Sequence, residues 1–170
     1  MAFDAFLKLS NVDSESTDDR HQKWIEVLSF SWGLSQPATA VATARQAGAI
    51  GTTPAVERAS FTDFTIVKTL DKSSPILMLA CANGEHLPSV TIQCQRAEGG
   101  KQQYLEIKMT DVLISGVKPG GTSQGSEVRP LEEISFSFSK CEMTYIPQKA
   151  DGTADASVRM GWDVAKNTKF

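Results

Sequence analysis

Alternation of apolar and polar residues with a period of two dominates the chain and predicts β-strands rather than helices. Strands are predicted at 3–9, 23–34, 60–67, 88–96, 103–114, 133–146 and 158–164. Turn-forming segments separate several of them, including EGGK at 98–101 and KPGGTSQGS at 118–126. Sequential strands with short connections favour a closed or nearly closed antiparallel β-barrel, or a sandwich.

In two of these strands the alternation indicates which side chains share a face. In VLSFSWGLSQ, at 27–36, Leu28, Phe30 and Trp32 share one parity, whereas Ser29 and Ser31 have the other. The apolar parity, including Leu28, is expected to face the core, which leaves a serine face on the other side. In 133–146 the apolar parity changes between residues 139 and 140, which predicts a β-bulge or sharp coil there.

One short helix is predicted at about 74–83, within DKSSPILMLACANGEHL. Ser74 is suited to the N-cap and Pro75 to the first helical position, where a missing N–H costs little. Gly84 can end the helix in the left-handed conformation. Residues 76–82 are apolar nearly all round, so we expect little of the helix to face water.

The segment 37–58, PATAVATARQAGAIGTTPAVER, differs from the rest of the chain. It holds seven alanines and no aromatic residue. A long segment of this kind is either a plain surface loop or an extended arm that becomes ordered on a partner. Gly48 and Gly51 disfavour an Ala-rich helix.

Length, charge and cysteine content narrow the class of protein. The 170 residues predict a single domain at 1–170, and the net charge of −3 with scattered basic residues argues against nucleic acid or an anionic membrane as partner. No window approaches the roughly 20 apolar residues of a membrane span, and the start MAFDAFLKLS does not resemble a signal peptide. Three widely spaced cysteines suit reduced, buried thiols made in the cytoplasm. The acidic loop at 13–19 is either solvated or a charged patch that faces a neighbouring subunit.

Candidate chemistry is sparse. His21 and His86 have no cysteine within four residues, so no metal site is predicted. Cys81 falls in the middle of the predicted helix, away from the N-terminus that would stabilise a thiolate. The glycine loop continues into Ser126 and Glu127 instead of the Lys and Ser/Thr of a phosphate loop. We therefore predict no cofactor and a structural or binding role rather than an enzyme, with a monomeric β-barrel that binds a small ligand as the alternative.

Three segments resemble one protein family. They are VDSESTDDRHQKWIEVLSFSWGLSQ, DKSSPILMLACANGEHLPSVTI, and VRPLEEISFSFSKCEMTYIPQKADG followed by GWDVAKNTKF. Together they resemble the haemolysin-coregulated protein (Hcp, or TssD) family, the tube subunit of the type VI secretion system. The matching segments occur in order along nearly the whole chain.

The resemblance implies a tail-tube-like β-barrel that forms a homohexamer. Its rings are expected to stack into a hollow tube that carries a VgrG spike and is propelled by a contractile sheath. Assembly would be cytoplasmic, and the apparatus would export the protein without a signal peptide. The lumen would bind and chaperone small effector proteins. No toxin domain is expected after the barrel, because the sequence ends at Phe170.

The resemblance also implies roles for particular residues. Ser31 and Ser29 are expected to face the lumen of the ring and to contact effectors. Gly48 in the arm, Gly99 in the hairpin loop and Ser157 near the last strand are expected to contact neighbouring rings or subunits.

Overall fold

A computed structural model describes residues 3–37, 58–97, 100–124 and 128–170. Within those ranges the chain forms eleven strands and one helix, which confirms the mainly β class. The elements are β1 (Phe3–Leu9), β2 (Ile25–Val27), β3 (Ser29–Ser31), β4 (Leu34–Ser35), β5 (Ser60–Phe61), β6 (Phe64–Thr69), α1 (Ser74–Asn83), β7 (His86–Arg96), β8 (Gln103–Gly120), β9 (Leu131–Tyr145), β10 (Val158–Asp163) and β11 (Thr168–Lys169). Gly48, Gly99 and nearly all of the predicted arm at 37–58 lie outside the described residues.

Nine of the strands form one antiparallel sheet that curls around the core. Hydrogen-bonded neighbours follow the order β11–β10–β9–β8–β7–β1–β2, and β9 also pairs with β6, which pairs with β3. β2 and β3 are successive parts of one segment, so the circuit β2–β1–β7–β8–β9–β6–β3 closes at Leu28. The Leu28 N–H donates to the Val67 carbonyl, with 2.8 Å between N and O. The strands therefore enclose the core as the predicted antiparallel barrel requires.

The two longest strands, β8 and β9, belong to both sides of the barrel. Residues 140–145 of β9 pair with β10, and residues 131–136 pair with β6. Residues 103–113 of β8 pair with β7, but the continuation to Gly120 pairs with β9 alone. The first half of β8 and the second half of β9 thus lie in one layer, which we call the outer layer, with β2, β1, β7, β10 and β11. Their other halves form the second layer with β3 and β6.

A corner joins the two layers at Asp111, which has a φ of 52°. Buried residues of β8 change from odd positions, up to Met109, to even positions from Val112 onward. In β9 the inward-facing positions change from even to odd opposite Asp111. The β8–β9 pairing therefore keeps one register between residues 138 and 140. The predicted change of parity at 139–140 is confirmed, and of its two predicted forms the bulge is wrong, because the register shift lies on β8 between Ile114 and Gly116 and the chain instead turns at the corner.

The interior of the barrel is filled by large apolar side chains. Its fully buried members come from both layers and from the helix: Leu7, Ile25, Phe64, Ile66, Leu77, Ile92, Ile107, Met109, Ile134 and Phe136. Each such side chain contributes roughly 1.5–3 kcal/mol on burial.

The predicted strand at 23–34 is interrupted at Leu28. Phe30 and Trp32 pack against the core as predicted. Leu28, however, is 57% exposed, whereas Val27 is buried. The prediction that Leu28 faces the core is wrong, because the segment changes neighbours there from β1 to β6 and the alternation shifts by one residue.

Helix α1 has nearly the predicted bounds and ends at Gly84, whose φ is 64°. Its N-cap residue is Ser73 rather than Ser74, because the Ser74 hydroxyl points inward and donates to Glu132 Oε1 at 2.5 Å. Leu77 and Ala80 face the core. The expectation that little of the helix faces water is wrong, because one side of the helix covers the barrel and the other carries three exposed apolar side chains, Ile76, Met78 and Leu79. Among the described residues no helix has the length and hydropathy to span a bilayer.

Candidate functional site

A row of small hydroxyl side chains covers the outside of the second layer. Ser31 on β3 lies opposite Thr65 on β6, and Thr65 lies opposite Ser135 on β9. The Oγ atoms of Thr65 and Ser135 are 3.2 Å apart. Ser29 and Ser137 share this side of the sheet, since they alternate with core residues. We call these five residues the hydroxyl face; Ser29, Ser31 and Ser137 are exposed and the other two are half-buried.

The residues around the hydroxyl face are small, or carry charges that pair with each other. Gly116 lies opposite Ser135 and extends the row without a side chain. In the row that contains Ser29, Glu133 lies opposite Lys118, and their charges pair with 3.3 Å between Nζ and Oε1. Val67, which lies between Ser29 and Glu133, is a half-buried apolar side chain in that row. The face is therefore shallow, mostly polar and close to neutral. It can offer hydrogen bonds to a passing surface without forming a pocket that would hold one ligand tightly.

Of the three residues expected at ring or subunit contacts, the structure describes one. Ser157 is exposed and precedes Val158, which lies opposite Tyr145; Tyr145 in turn lies opposite Leu105. Ser157 therefore lies at the end of the outer layer where β7 ends and β8 begins. Gly48 and Gly99 themselves fall outside the described residues, and the contact roles of all three remain predictions.

A buried ionic cluster joins β6, β9 and the start of α1, and sequence reasoning missed it. Lys68 Nζ lies 2.6 Å from Glu132 Oε1 and 3.0 Å from Asp71 Oδ1, and the side chains of Lys68 and Glu132 are fully buried. Lys68 also donates to the Thr69 carbonyl at 2.8 Å, and Ser14 donates to Asp71 at 2.6 Å. The cluster ties the acidic loop and the helix to the barrel. The period-two alternation of the predicted strand 60–67, continued by one residue, makes Lys68 an inward-facing position. This alternation was the signal in the sequence that could have located the buried lysine.

Hydrogen bonds keep the carboxyl group of Asp71 ionised despite its burial. Burial raises the pKa of Asp71, but hydrogen bonds from Ser14, Ser73 and Lys68 outweigh it and hold the pKa below its usual value. The second carboxyl oxygen of Glu132, Oε2, is buried and has no hydrogen-bond partner among the described residues. A buried Lys between two carboxylates is a structural arrangement rather than an open site, because the ammonium group occupies the centre.

The acidic loop is partly anchored and partly exposed. His21 is buried, stacks on Phe6 and bonds through Nδ1 to Asp18 Oδ1 at 2.9 Å. The hydrogen bond from Lys101, followed by that from His21, holds the pKa of Asp18 well below its ordinary value. Asp13 and Asp19 remain exposed. The exposed carboxylates of this loop can therefore be either solvated or turned towards a neighbouring subunit, the two alternatives that the sequence leaves open.

The described residues bring one Ser, one Asp and one His together at the barrel corner. Ser139 Oγ donates to Asp111 Oδ2 at 2.7 Å, and His86 Nδ1 lies 2.9 Å from Asp111 Oδ1. The hydroxyl is thus bonded to the carboxylate and not to the imidazole, so the serine has no neighbouring base. This arrangement supports the corner and does not activate a nucleophile.

The cysteines and the metal-binding residue types show no reactive grouping. Burial raises the pKa of both the Cys94 and the Cys141 thiols to about 11, so both stay protonated at neutral pH. Cys81 is partly exposed and free. In the described part of the chain, no group of three or more His, Cys, Asp or Glu residues is arranged to hold a metal ion.

The architecture is that of an antiparallel β-barrel protein whose features lie on exposed faces and edges rather than in a cleft. Comparison with known proteins identifies the family. Residues 6–145 match the family model described as "Type VI secretion system effector, Hcp". The chain therefore belongs to the Hcp family of the type VI secretion system, as its sequence segments indicated.

Individual relatives agree over nearly the full length. Protein hcp1 of Pseudomonas aeruginosa is 36% identical over 171 residues, which cover 99% of both chains. A solved structure described as a type six secretion system protein has a TM-score of 0.88 at 32% identity, and covers 99% of this chain and 100% of its own. Hcp1 from Salmonella typhimurium has a TM-score of 0.76 at 28% identity, with the same coverage.

Proposed function

We propose that this chain is the subunit of the type VI secretion tube. Six copies form a ring, rings stack into a hollow tube, and the hydroxyl face lines the channel. The observation that carries the proposal is the hydroxyl face itself: five small hydroxyl side chains on an exposed sheet of a member of the Hcp family. A channel wall of this kind gives a passing protein weak, reversible contacts.

Exposed apolar side chains support self-assembly. Large apolar residues on the surface of the isolated chain include Phe3, Leu28, Leu34, Ile76, Met78, Leu79, Tyr145, Val158 and Met160. Exposed apolar surface of this kind is typical of interaction sites where its members lie side by side, as Ile76 and Leu79 do one turn apart on α1. Contacts with neighbouring copies would remove these side chains from water.

The filled interior argues against the alternative of a monomeric ligand-binding barrel. Such a protein requires a concave, mostly apolar cavity inside or at the mouth of the barrel. Here Phe64 and Phe136 are fully buried in the middle of the barrel, and Leu77 from the helix packs against the same core. The unactivated Ser139 and the protonated Cys94 and Cys141 likewise favour a structural role over catalysis.

The proposed partners follow from the proposed place in the apparatus. A contractile sheath surrounds the tube, a VgrG spike caps it, and small effector proteins travel inside it along Ser29 and Ser31. The subunit would assemble in the cytoplasm and reach the exterior through the apparatus itself.

Size measurement of the purified protein tests the proposal. Size-exclusion chromatography with light scattering is expected to show a particle of about six chain masses, and negative-stain microscopy is expected to show rings with an open centre. A monodisperse monomer across a wide range of protein and salt concentrations would refute the ring and favour the ligand-binding alternative.

A further inference from the structure

The outer layer has two edges that lie at opposite ends of its strand order. One edge is β2 with its neighbour β1, and the other is β10 with β11. Five strand-to-strand steps separate β2 from β10 along this layer, so the edges point to different sides of the molecule.

The first edge is acidic and partly apolar. An open groove of about 550 Å³ runs along it and is lined by Asp4, Asp19 and Glu26 together with Phe3 and Leu28. All five residues are exposed. The groove also contains Lys101, whose ammonium is bound to Asp18 and is also attracted to Asp19 and Asp4. One ammonium among four carboxylates, counting Asp18, leaves the groove negative. We call Asp4, Asp19, Glu26, Phe3 and Leu28 the acidic edge.

The second edge is basic and partly apolar. Arg159, Lys166 and Lys169 are exposed there, beside Val158, which is 65% exposed, and Met160. Lys166 and Lys169 form no ion pair within the described residues, whereas Arg159 contacts Glu142. The one carboxylate of the β10–β11 hairpin, Asp163, is buried. We call Arg159, Lys166, Lys169, Val158 and Met160 the basic edge.

The backbone of the basic edge is also open. β11 pairs with β10 only at residues 162 and 163, so residues 158–160 have β9 on one side and no strand on the other among the described residues. An open strand edge of this kind can pair with another chain, and here a covered edge would also bury Val158 and Met160.

We infer that the acidic edge of one copy of this chain docks on the basic edge of the next copy. The inference rests on the proposed ring and specifies the surfaces that close it. Two different surfaces at opposite sides of one molecule form a heterologous, head-to-tail contact, which is the kind that generates rings. Carboxylates meet unpaired ammonium groups, and Phe3 and Leu28 meet Val158 and Met160. The acidic loop, through Asp19, then faces a neighbouring subunit.

Charge reversal at each edge tests this contact. One variant carries Asp4→Lys and Glu26→Lys, which makes both edges basic; the other carries Lys166→Glu and Lys169→Glu, which makes both edges acidic. Each is expected to be monomeric where the unchanged chain forms rings, with at least about a hundred-fold rise in the concentration required for assembly, because like charges then face each other at every contact. The matched control carries Lys72→Glu and Lys118→Glu, exposed residues in the turn before α1 and on the second layer, and is expected to keep its rings.

Mixing the two edge variants gives the sharper result. An alternating ring places a basic edge against an acidic edge at every contact, so an equimolar mixture of the two monomers is expected to form rings of one-to-one composition, measured by native mass spectrometry. Circular dichroism on each variant establishes that the monomers are folded.

Rings that persist in either variant alone, or folded variants that stay monomeric when mixed, would refute the edge assignment while leaving the proposed ring intact. A monomeric unchanged chain would instead refute the proposed function. If the acidic edge instead binds a basic peptide, the Lys166→Glu and Lys169→Glu changes would leave ring formation unaffected. That result would also refute the inference.

Discussion

Lys68 and Glu132 lie directly opposite each other on β6 and β9, with 2.6 Å between Nζ and Oε1 and no solvent exposure of either side chain. A lysine is seldom buried in this way unless it is paired. Because Asp71 contacts the same ammonium group, one cation holds together a strand pair, the turn before α1 and the acidic loop.

The first prediction concerns this cluster. Lys68→Met leaves the buried carboxylate of Glu132 and the partly buried carboxylate of Asp71 without their cation, and we expect it to lower the free energy of unfolding by about 3–5 kcal/mol. Lys118→Met is the control, because that lysine pairs with Glu133 at the surface and its loss is expected to cost at most about 1 kcal/mol. Urea unfolding at one fixed protein concentration measures both. Adding Glu132→Leu to Lys68→Met is expected to restore part of the loss. Equal costs for the two single lysine variants would show that the cluster does not stabilise the fold.

The second prediction concerns pH and Asp18. Because the folded-state pKa of Asp18 is depressed by Lys101 and His21, the stabilisation by its carboxylate is present above the unfolded pKa, about 3.9, and is lost as the pH falls through the folded value. Asp18→Asn is therefore expected to be less stable than the unchanged chain near neutral pH, and the difference is expected to shrink at about pH 2. Thermal unfolding across this range measures it. Asp13→Asn, at an exposed carboxylate in the same loop but outside both edges, provides the comparison and should show little change at either pH, because its pair with Lys23 lies at the surface. A constant deficit for Asp18→Asn would contradict the assignment.

The third prediction concerns the thiols. At neutral pH, Cys94 and Cys141 are expected to resist alkylation, because both are buried and their pKa values lie at about 11. Cys81 is partly exposed on α1 and is expected to react at an ordinary rate. Mass spectrometry of the folded protein treated with a maleimide should show one rapid addition per chain, lost in Cys81→Ser. Two rapid additions to folded Cys81→Ser would show that the interior of the barrel opens readily.

The fourth prediction concerns the hydroxyl face. Ser31→Cys in a Cys81→Ser background is expected to react with a small maleimide in both ring and monomer, but with a long polyethylene-glycol maleimide only as a monomer. The monomer is supplied by adding the changes Asp4→Lys and Glu26→Lys. Lys108→Cys, at an exposed position on the outer layer, is expected to react with both reagents in both states. Unhindered reaction of the large reagent with Ser31→Cys in intact rings would place the hydroxyl face outside the channel.

The fifth prediction concerns ring stacking through Ser157. A bulky change, Ser157→Trp, is expected to leave single rings intact and to reduce their stacking, because the residue lies at one end of the outer layer. Negative-stain microscopy and sedimentation velocity distinguish the two effects. Dissolution of the ring itself would mean that Ser157 lies between subunits within a ring.

Local signals in the sequence predicted local structure well. Strand β1 has the bounds that its alternation predicted, and α1 falls within one residue of its prediction because Pro75 and Gly84 mark its ends. The hydroxyl parity of Ser29 and Ser31 was also readable, because it needs only period-two alternation. The family was identifiable from three segments, and its model covers most of the chain.

Features that depend on distant neighbours were not predictable in the same way. Leu28 turns outward because the chain changes pairing partners there, which alternation within one strand cannot show. The corner was visible in the sequence only as the change of parity at 139–140, and the turn of β8 at Asp111 depends on its pairing with β9. Lys68 and Glu132 are 64 residues apart, so the sequence contains no local indication that they form a buried pair. The exposed side of α1 and both edges of the outer layer become visible only once the barrel is assembled.

The corner at Asp111 has a mechanical consequence. Because β8 and β9 pass through it without a break in their pairing, covalent backbone runs continuously from one layer into the other. Load applied at one end of the molecule is then shared by the chain itself and by the hydrogen bonds along both strands, which must shear together before either layer can slide. The two layers are therefore held as one unit against a load along these strands.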